Sequence, residues 1–136
     1  MAYQWDRSLE TGVPAIDNQH KQLVAAVNSL LDACQSGKGT AEVARTMDFL
    51  TGYTIKHFSD EEKIQKQYEY PDYAIHKRYH DAFKVTVGEL TKRLIKDGPS
   101  ETLINEVNIS IGDWLVNHIK GDDFRMAAYV KTKIPA

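Results

Sequence analysis

The sequence predicts an all-α protein, an up-down-up-down antiparallel four-helix bundle with an N-terminal arm and a short C-terminal tail. Three observations support this fold class. Four long segments place apolar side chains at helical spacing, short turns containing glycine and proline separate them, and no segment shows the alternation typical of strands. Amphipathic helices joined by short turns pack as antiparallel neighbours, because each must bury its apolar face against the others.

The first two predicted helices begin and end at residues with clear local preferences. Asp17 is the expected N-cap of the first helix and Thr40 that of the second, since both side chains accept hydrogen bonds from a first turn. The turn Gly37-Lys38-Gly39 ends the first helix, and Tyr70-Pro71-Asp72 ends the second. Their inward stripes contain Leu23, Val24, Val27, Leu30, Leu31 and Cys34 in the first helix, and Met47, Leu50, Thr54 and Phe58 in the second.

The third and fourth predicted helices are bounded in the same way. The third starts near Asp72 and stops at Asp97-Gly98-Pro99, and Ser100 is the expected N-cap of the fourth. We expect Gly121 to loosen the end of the fourth helix, because glycine leaves the backbone unrestricted. Their inward stripes contain Phe83, Val87, Leu90 and Leu94 in the third helix, and Leu103, Val107, Ile111, Trp114 and Leu115 in the fourth.

Composition and charge limit the functions that the chain can have. Its 136 residues match the size of one domain, so we expect residues 1–136 to form a single domain. The net charge of -2, the absence of a basic stripe and the lack of a targeting or membrane-spanning segment predict a cytoplasmic protein without nucleic-acid partners or membrane insertion. Four apolar stripes that are fully used inside the bundle predict a monomer. Cys34, the one cysteine, is expected to be a buried apolar side chain.

All five histidines fall on the predicted inner faces at one end of the bundle; they are His20, His57, His76, His80 and His118. Residues four apart share a helix face, so His57 pairs with Glu61, and His76 pairs with His80. A single inward histidine is usually a satisfied core residue. Five imidazoles and a carboxylate in an apolar core would be costly, however, unless a metal centre satisfied them together.

The types of ligand indicate the kind of metal. Imidazole and carboxylate without a cluster of thiolates suit first-row transition metals such as iron, zinc or manganese. The set is too large for one ion, so we expect two ions that carboxylates bridge. The fourth helix offers the second bridging acid in the segment HIKGDD. Regular helical spacing from His118 favours Asp122, a helix opened at Gly121 favours Asp123, and spacing alone leaves both open.

The motifs also resemble those of a known family over nearly the whole chain. They run from Trp5 and "TGVPAIDNQHKQL" through "HFSDEEK" and "YPDYAIHKRYH" to "WLVNHIKGDD". This combination is similar to the hemerythrins, and especially to the single-domain bacteriohemerythrins. The resemblance implies two Fe ions per chain with a bridging oxo or hydroxo group. It also implies which residues bind them: His76, His80 and His118 hold one iron, His20 and His57 hold the other, Glu61 and Asp123 bridge the two, and Asp122 faces solvent.

The resemblance implies a function as well. It leaves one coordination position open on the iron with two histidines, where the family binds dioxygen. By motif position, the walls of this oxygen pocket would be Leu23, Phe58, Trp114, Leu115 and Ile119. Apolar walls exclude water and supply no proton, which favours reversible binding over turnover. We therefore expect a non-enzymatic protein for oxygen transport, storage or delivery.

Two other functions could use the same centre. The first is an oxygen or redox sensor, which would need a separate signalling partner. The second is a di-iron enzyme acting on peroxide or nitric oxide. Di-iron oxidases typically use a glutamate-rich set with Glu-x-x-His motifs, whereas histidine dominates here, which favours the carrier. A haem protein is disfavoured because the sequence lacks a CxxCH motif.

Overall fold

The structure, a computed structural model, describes residues 3–37 and 39–134. Within these ranges an arm with a short 3-10 helix, Arg7–Leu9, leads into four long helical segments. They are α1 (Pro14–Gln35), α2 (Thr40–Gln67), α3 (Tyr73–Asp97) and the fourth helix, which covers residues 101–133. Helix α2 packs against α1 and α3, and the fourth helix packs against α1 and α3. The predicted antiparallel four-helix bundle is therefore confirmed.

The fourth helix alternates between α-helical and π-helical turns. Its α-helical parts are Glu101–Val107, Trp114–His118 and Phe124–Lys133, and its π-helical parts are Asn108–Asp113 and Ile119–Asp123. A π-helical turn bonds each N–H to the carbonyl five residues earlier and so takes up an extra residue. The sequence predicted that the helix loosens near Gly121. It continues instead to Lys133, because the buried side chains of Met126 and Val130 extend its apolar face.

The start of the fourth helix and the end of α3 follow the predicted local signals. Ser100 caps the fourth helix, and its Oγ accepts a hydrogen bond from the backbone N–H of Leu103 at 3.1 Å. Gly98 ends α3 with a φ of 77°, a conformation that glycine adopts without the strain of a Cβ atom.

The two other predicted N-caps were wrong. Helix α1 begins at Pro14, whose fixed φ suits the first helical position, so Asp17 lies inside the first turn. The carboxylate of Asp17 instead accepts hydrogen bonds from the backbone N–H and hydroxyl of Thr11, which fastens the arm to α1. Thr40 is the first residue of α2, and Gly39 precedes it as the cap. Lys38 of the predicted turn lies outside the described residues.

Buried apolar side chains form two clusters. The large apolar cluster fills most of the bundle and includes Cys34, which is buried as predicted. The small apolar cluster closes the end where α2 leads into α3; it consists of Val13, Ile16, Tyr70, Met126, Ala127 and Val130. Along α1, His20 lies between Ile16 of the small cluster and Leu23 of the large one. A layer of buried polar side chains that includes His20, called the polar layer below, thus separates the two clusters. Within the described ranges, none of the helices combines the length and the apolar composition of a membrane-spanning segment.

Replacing Ser100 with alanine tests the capping of the fourth helix. We expect Ser100→Ala to lower the free energy of unfolding by about 1 kcal/mol, because the N–H of Leu103 loses its partner. Thr40→Ala is the matched control and should change it by less than about 0.5 kcal/mol, since Gly39 holds the cap position. Guanidinium chloride denaturation of both variants measures the difference. Equal losses in the two variants would contradict this assignment of the caps.

Candidate metal centre

The structure brings all seven predicted ligand residues together in the polar layer. Every helix contributes: α1 one residue, and α2, α3 and the fourth helix two each. The seven side chains are buried, with at most 4% of any residue exposed; they are His20, His57, Glu61, His76, His80, His118 and Asp123. Each imidazole directs its Nε2 atom at a carboxylate oxygen of Glu61 or Asp123.

The two oxygens of Glu61 face different histidines. Oε1 lies 2.9 Å from Nε2 of His76 and 3.1 Å from Nε2 of His80. Oε2 lies 3.1 Å from Nε2 of His57 and 3.7 Å from Nε2 of His20. The carboxylate of Glu61 therefore spans two groups of imidazoles, one of which comes from α3.

Asp123 divides its oxygens in the same way. Oδ1 lies 2.9 Å from Nε2 of His76 and 3.2 Å from Nε2 of His118, whereas Oδ2 lies 2.9 Å from Nε2 of His20. Both carboxylates thus offer one oxygen to a three-histidine set (His76, His80 and His118) and the other oxygen to a two-histidine set (His20 and His57). In each set the potential ligand atoms lie within 4.8 Å of one another.

The donor atoms of this layer fit metal ions. Among the described residues, Nε2 of four histidines and three of the carboxylate oxygens face one another closely but form no hydrogen bond of normal geometry; they are Nε2 of His20, His57, His80 and His118, Oε2 of Glu61, and Oδ1 and Oδ2 of Asp123. Buried polar atoms normally have partners. Two cations, each surrounded by imidazole nitrogen and carboxylate oxygen, would satisfy these atoms together.

Three further side chains bind the outer nitrogens of the histidines. Nδ1 of His57 lies 2.7 Å from Oε1 of Gln19, and Nδ1 of His80 lies 2.9 Å from Oε2 of Glu62. An acceptor at Nδ1 places the ring proton there and leaves the lone pair on Nε2, the atom that faces the layer. Sequence reasoning missed Gln19 and Glu62 as partners, although each is adjacent to a predicted ligand residue in the sequence.

Asp122 is the third of these outer partners. Its Oδ2 lies 2.8 Å from Nδ1 of His118, and its other oxygen pairs with Arg125. The expectation that Asp122 only faces solvent was therefore incomplete. The π-helical turn Ile119–Asp123 explains why both acids are near His118, because the widened turn brings Asp123 to Nε2 of the ring while Asp122 reaches Nδ1.

The two carboxylates change the proton affinity of the histidines. Burial disfavours protonation of His20 and His76, but the nearby carboxylates of Asp123 and Glu61 outweigh it and raise the pKa of each imidazole to about 9. Burial also opposes protonation of His118, yet the charge of Asp123 raises its pKa to about 10. When no metal ion is bound, protons on these histidines therefore supply the positive charge that balances the buried carboxylates.

The pKa values of the two carboxylates shift in the opposite direction. Burial opposes ionisation of Glu61, but the imidazoles around it, His57 foremost, hold its pKa well below the usual range. Burial and the charge of Glu61 likewise oppose ionisation of Asp123, whose pKa is nevertheless lowered by His118. Both carboxylates are therefore ionised at neutral pH, as ligands of a cation must be.

Aromatic side chains border the layer on the side of the large apolar cluster. The ring of Phe58 stacks on that of His80, with centroids 3.8 Å apart, and Trp114 stacks on His118 at 4.6 Å. Leu23, Leu115 and Ile119 are buried in the same cluster, whereas Trp114 is only partly buried at its edge. Four of the five residues expected in the pocket wall are thus enclosed, and the fifth covers a histidine.

Comparison with known proteins agrees with this arrangement. Residues 11–130 match the family described as the hemerythrin HHE cation binding domain. A bacteriohemerythrin of Pseudomonas aeruginosa is 37% identical over 126 residues, which cover 93% of this chain and 78% of the relative. For a bacteriohemerythrin of Stenotrophomonas maltophilia the identity is 33% over 130 residues, or 96% of this chain and 82% of the relative.

A solved structure gives the same result. The crystal structure of a wild-type hemerythrin matches with a TM-score of 0.84 and 30% sequence identity, covering 96% of this chain and 98% of that one. Residues 11–130, which match the family, contain every residue of the polar layer, from His20 to Asp123. Sequence, fold and the buried cluster therefore agree that this chain belongs to the hemerythrin family.

Proposed function

We propose that the chain binds dioxygen reversibly at a non-haem di-iron centre and serves oxygen transport, storage or delivery without being an enzyme. The observation that carries this proposal is the division of the carboxylate oxygens of Glu61 and Asp123 between the two histidine sets. In the proposed centre, His76, His80 and His118 would hold one iron, His20 and His57 would hold the other, and Glu61 and Asp123 would each offer an oxygen to both.

The unequal histidine sets suggest where a small molecule would bind. The two-histidine set offers one imidazole fewer, so an ion there keeps room for an additional ligand. When bound, two ferrous ions would supply the electrons that reversible oxygen binding requires. The protein contributes the arrangement of ligands: Gln19 fixes the ring of His57, and Glu62 fixes that of His80.

The apolar surroundings favour a carrier over an enzyme. Leu23, Phe58, Leu115 and Ile119 present only carbon atoms, and all four are buried. Such side chains exclude water and offer no proton for the cleavage of an O–O bond. The family relationship points the same way, because the relatives named above are hemerythrins.

Iron loading followed by oxygen exposure tests the proposed function. Anaerobic titration with ferrous iron should show two irons per chain. Oxygen should then produce a visible absorption band that disappears under argon, since a carrier releases oxygen unchanged. Visible spectra and iron analysis at each step provide the measurement. Irreversible oxidation would instead favour a sensor or an enzyme, and failure to bind two irons would refute the di-iron centre.

Metal binding should release protons in a pH-dependent manner. Imidazoles bind metal only when they are neutral, so loading at pH 7 should displace about three protons, from His20, His76 and His118. Metal affinity should rise as the pH increases towards about 9, because competition from these protons weakens. An indicator dye in weakly buffered solution measures the release. Loading at pH 7 without proton release would contradict the raised pKa values.

Removal of an outer partner should weaken metal binding. Glu62→Ala removes the carboxylate at Nδ1 of His80, so we expect metal affinity to fall by about 10- to 100-fold. Glu89→Ala in α3 changes an exposed glutamate of the same type and should leave the affinity unchanged. Competition with a chelator measures both variants. Similar affinities for the two would show that Glu62 does not support the centre.

A further inference from the structure

Gln65 is a buried polar residue to which the proposed metal centre assigns no role. Its side chain is 0% exposed, and within the part of the chain that the structure describes neither Oε1 nor Nε2 has a hydrogen-bond partner. Enclosing an amide in this way is unfavourable, because its hydrogen bonds to water are lost without replacement. Buried polar groups are normally satisfied by protein or by ordered water, so the amide of Gln65 indicates a missing partner.

The position of Gln65 indicates where this partner lies. Gln65 follows Glu61 by four residues on the same face of α2, and side chains in a helix lean towards its N-terminus. From this helical geometry we expect the amide of Gln65 to lean towards the carboxylate of Glu61. Its neighbour Ile64 packs against the small apolar cluster, which contains Ile16 of α1. Gln65 thus lies where the polar layer meets this cluster, on the opposite side of Glu61 from Phe58.

Other atoms in this region also need partners. Among the described residues, Nδ1 of His20 is buried without a hydrogen-bond partner, and Oε2 of Glu61 faces Nε2 of His57 at 3.1 Å but accepts no hydrogen bond. The other ring nitrogen of His20 faces Asp123 at 2.9 Å, so Nδ1 lies on the side of the ring away from that carboxylate. The region therefore combines hydrogen-bond donors and acceptors from α1 and α2. Buried water molecules occupy such places, because each makes about two to four hydrogen bonds to groups that would otherwise be unsatisfied.

We propose that Gln65 binds a buried water molecule beside Glu61 and, through it, positions the Glu61 carboxylate for metal. The amide of Gln65 donates a hydrogen bond to the water through Nε2, and the water donates one to Oε2 of Glu61. Gln65 is therefore a positioning residue, which acts on the metal through Glu61. This inference rests on the proposed metal centre.

Nuclear magnetic resonance detects the water directly. The side-chain NH2 group of Gln65, assigned through bonds in the wild-type protein, should show Overhauser cross-peaks to water in both metal-free and Zn²⁺-loaded samples. Zn²⁺ is the probe because it is diamagnetic and accepts imidazole and carboxylate ligands. The absence of such cross-peaks in both samples would overturn the water site. This measurement uses the unaltered chain, so it decides even where a variant fails to fold.

Metal affinity tests the positioning role. Gln65→Met keeps the length of the side chain but removes the amide, and it should lower the affinity for Zn²⁺ about tenfold, the loss typical of an outer partner. Thr54→Val is the matched control, because it also replaces a buried, unpaired polar atom of α2 and should leave the affinity within about twofold of wild type. Chelator competition measures both variants, after circular dichroism has verified their folding.

The outcomes separate this inference from the proposed function. Two Zn²⁺ ions bound per wild-type chain, with weaker binding in Gln65→Met and water cross-peaks to Gln65, would support both. Normal affinity in Gln65→Met would overturn only the role of Gln65. Weak binding without water cross-peaks would overturn the water ligand, since Gln65 would then act by direct contact. Failure of the wild-type chain to bind two ions would refute the metal centre itself.

Discussion

The burial of two ionised carboxylates is the constraint on which this structure depends. Glu61 and Asp123 are removed from water, and a buried charge is tolerated only where opposite charge and hydrogen bonds lie close by. Here the compensation comes from imidazoles on all four helices. The polar layer therefore joins the helices in a single arrangement, in addition to the apolar packing on either side of it. A small shift of one helix would separate a carboxylate oxygen from the imidazole nitrogen that faces it.

The same constraint explains how the layer is prepared for metal. Each histidine turns Nε2 inward, and acceptors outside the layer hold Nδ1 of His57, His80 and His118. These acceptors fix both the ring orientation and the position of its proton. The large apolar cluster borders the layer, and there Phe58 stacks on His80 and Trp114 stacks on His118, both of the three-histidine set. The charge balance of the layer and the tautomers of these histidines thus follow from contacts among neighbouring polar side chains.

Much of this arrangement could be predicted from the sequence, because its signals are local and repeated. Helical periodicity predicted the four helices and predicted that all five histidines face inward. Single-residue capping preferences were less reliable, since Pro14 displaced Asp17 from the start of α1 and Gly39 took the cap position ahead of Thr40. The contacts of Gln19 with His57 and of Glu62 with His80 join residues 38 and 18 positions apart, and no local pattern encodes them.

The fourth helix shows a further limit of periodic reasoning. Spacing alone could not choose between Asp122 and Asp123, because the choice depends on the π-helical turn Ile119–Asp123. This turn also has a consequence for sequence change. Each residue of an α-helix advances the chain by about 100° around its axis, so the extra residue of a π-helical turn sets the phase of everything that follows. Deleting a single residue near Gly121 would rotate Met126 and Val130 away from the small apolar cluster, even if every remaining side chain were unchanged. In this helix the number of residues therefore determines which side chains face the core as much as the identity of the residues does.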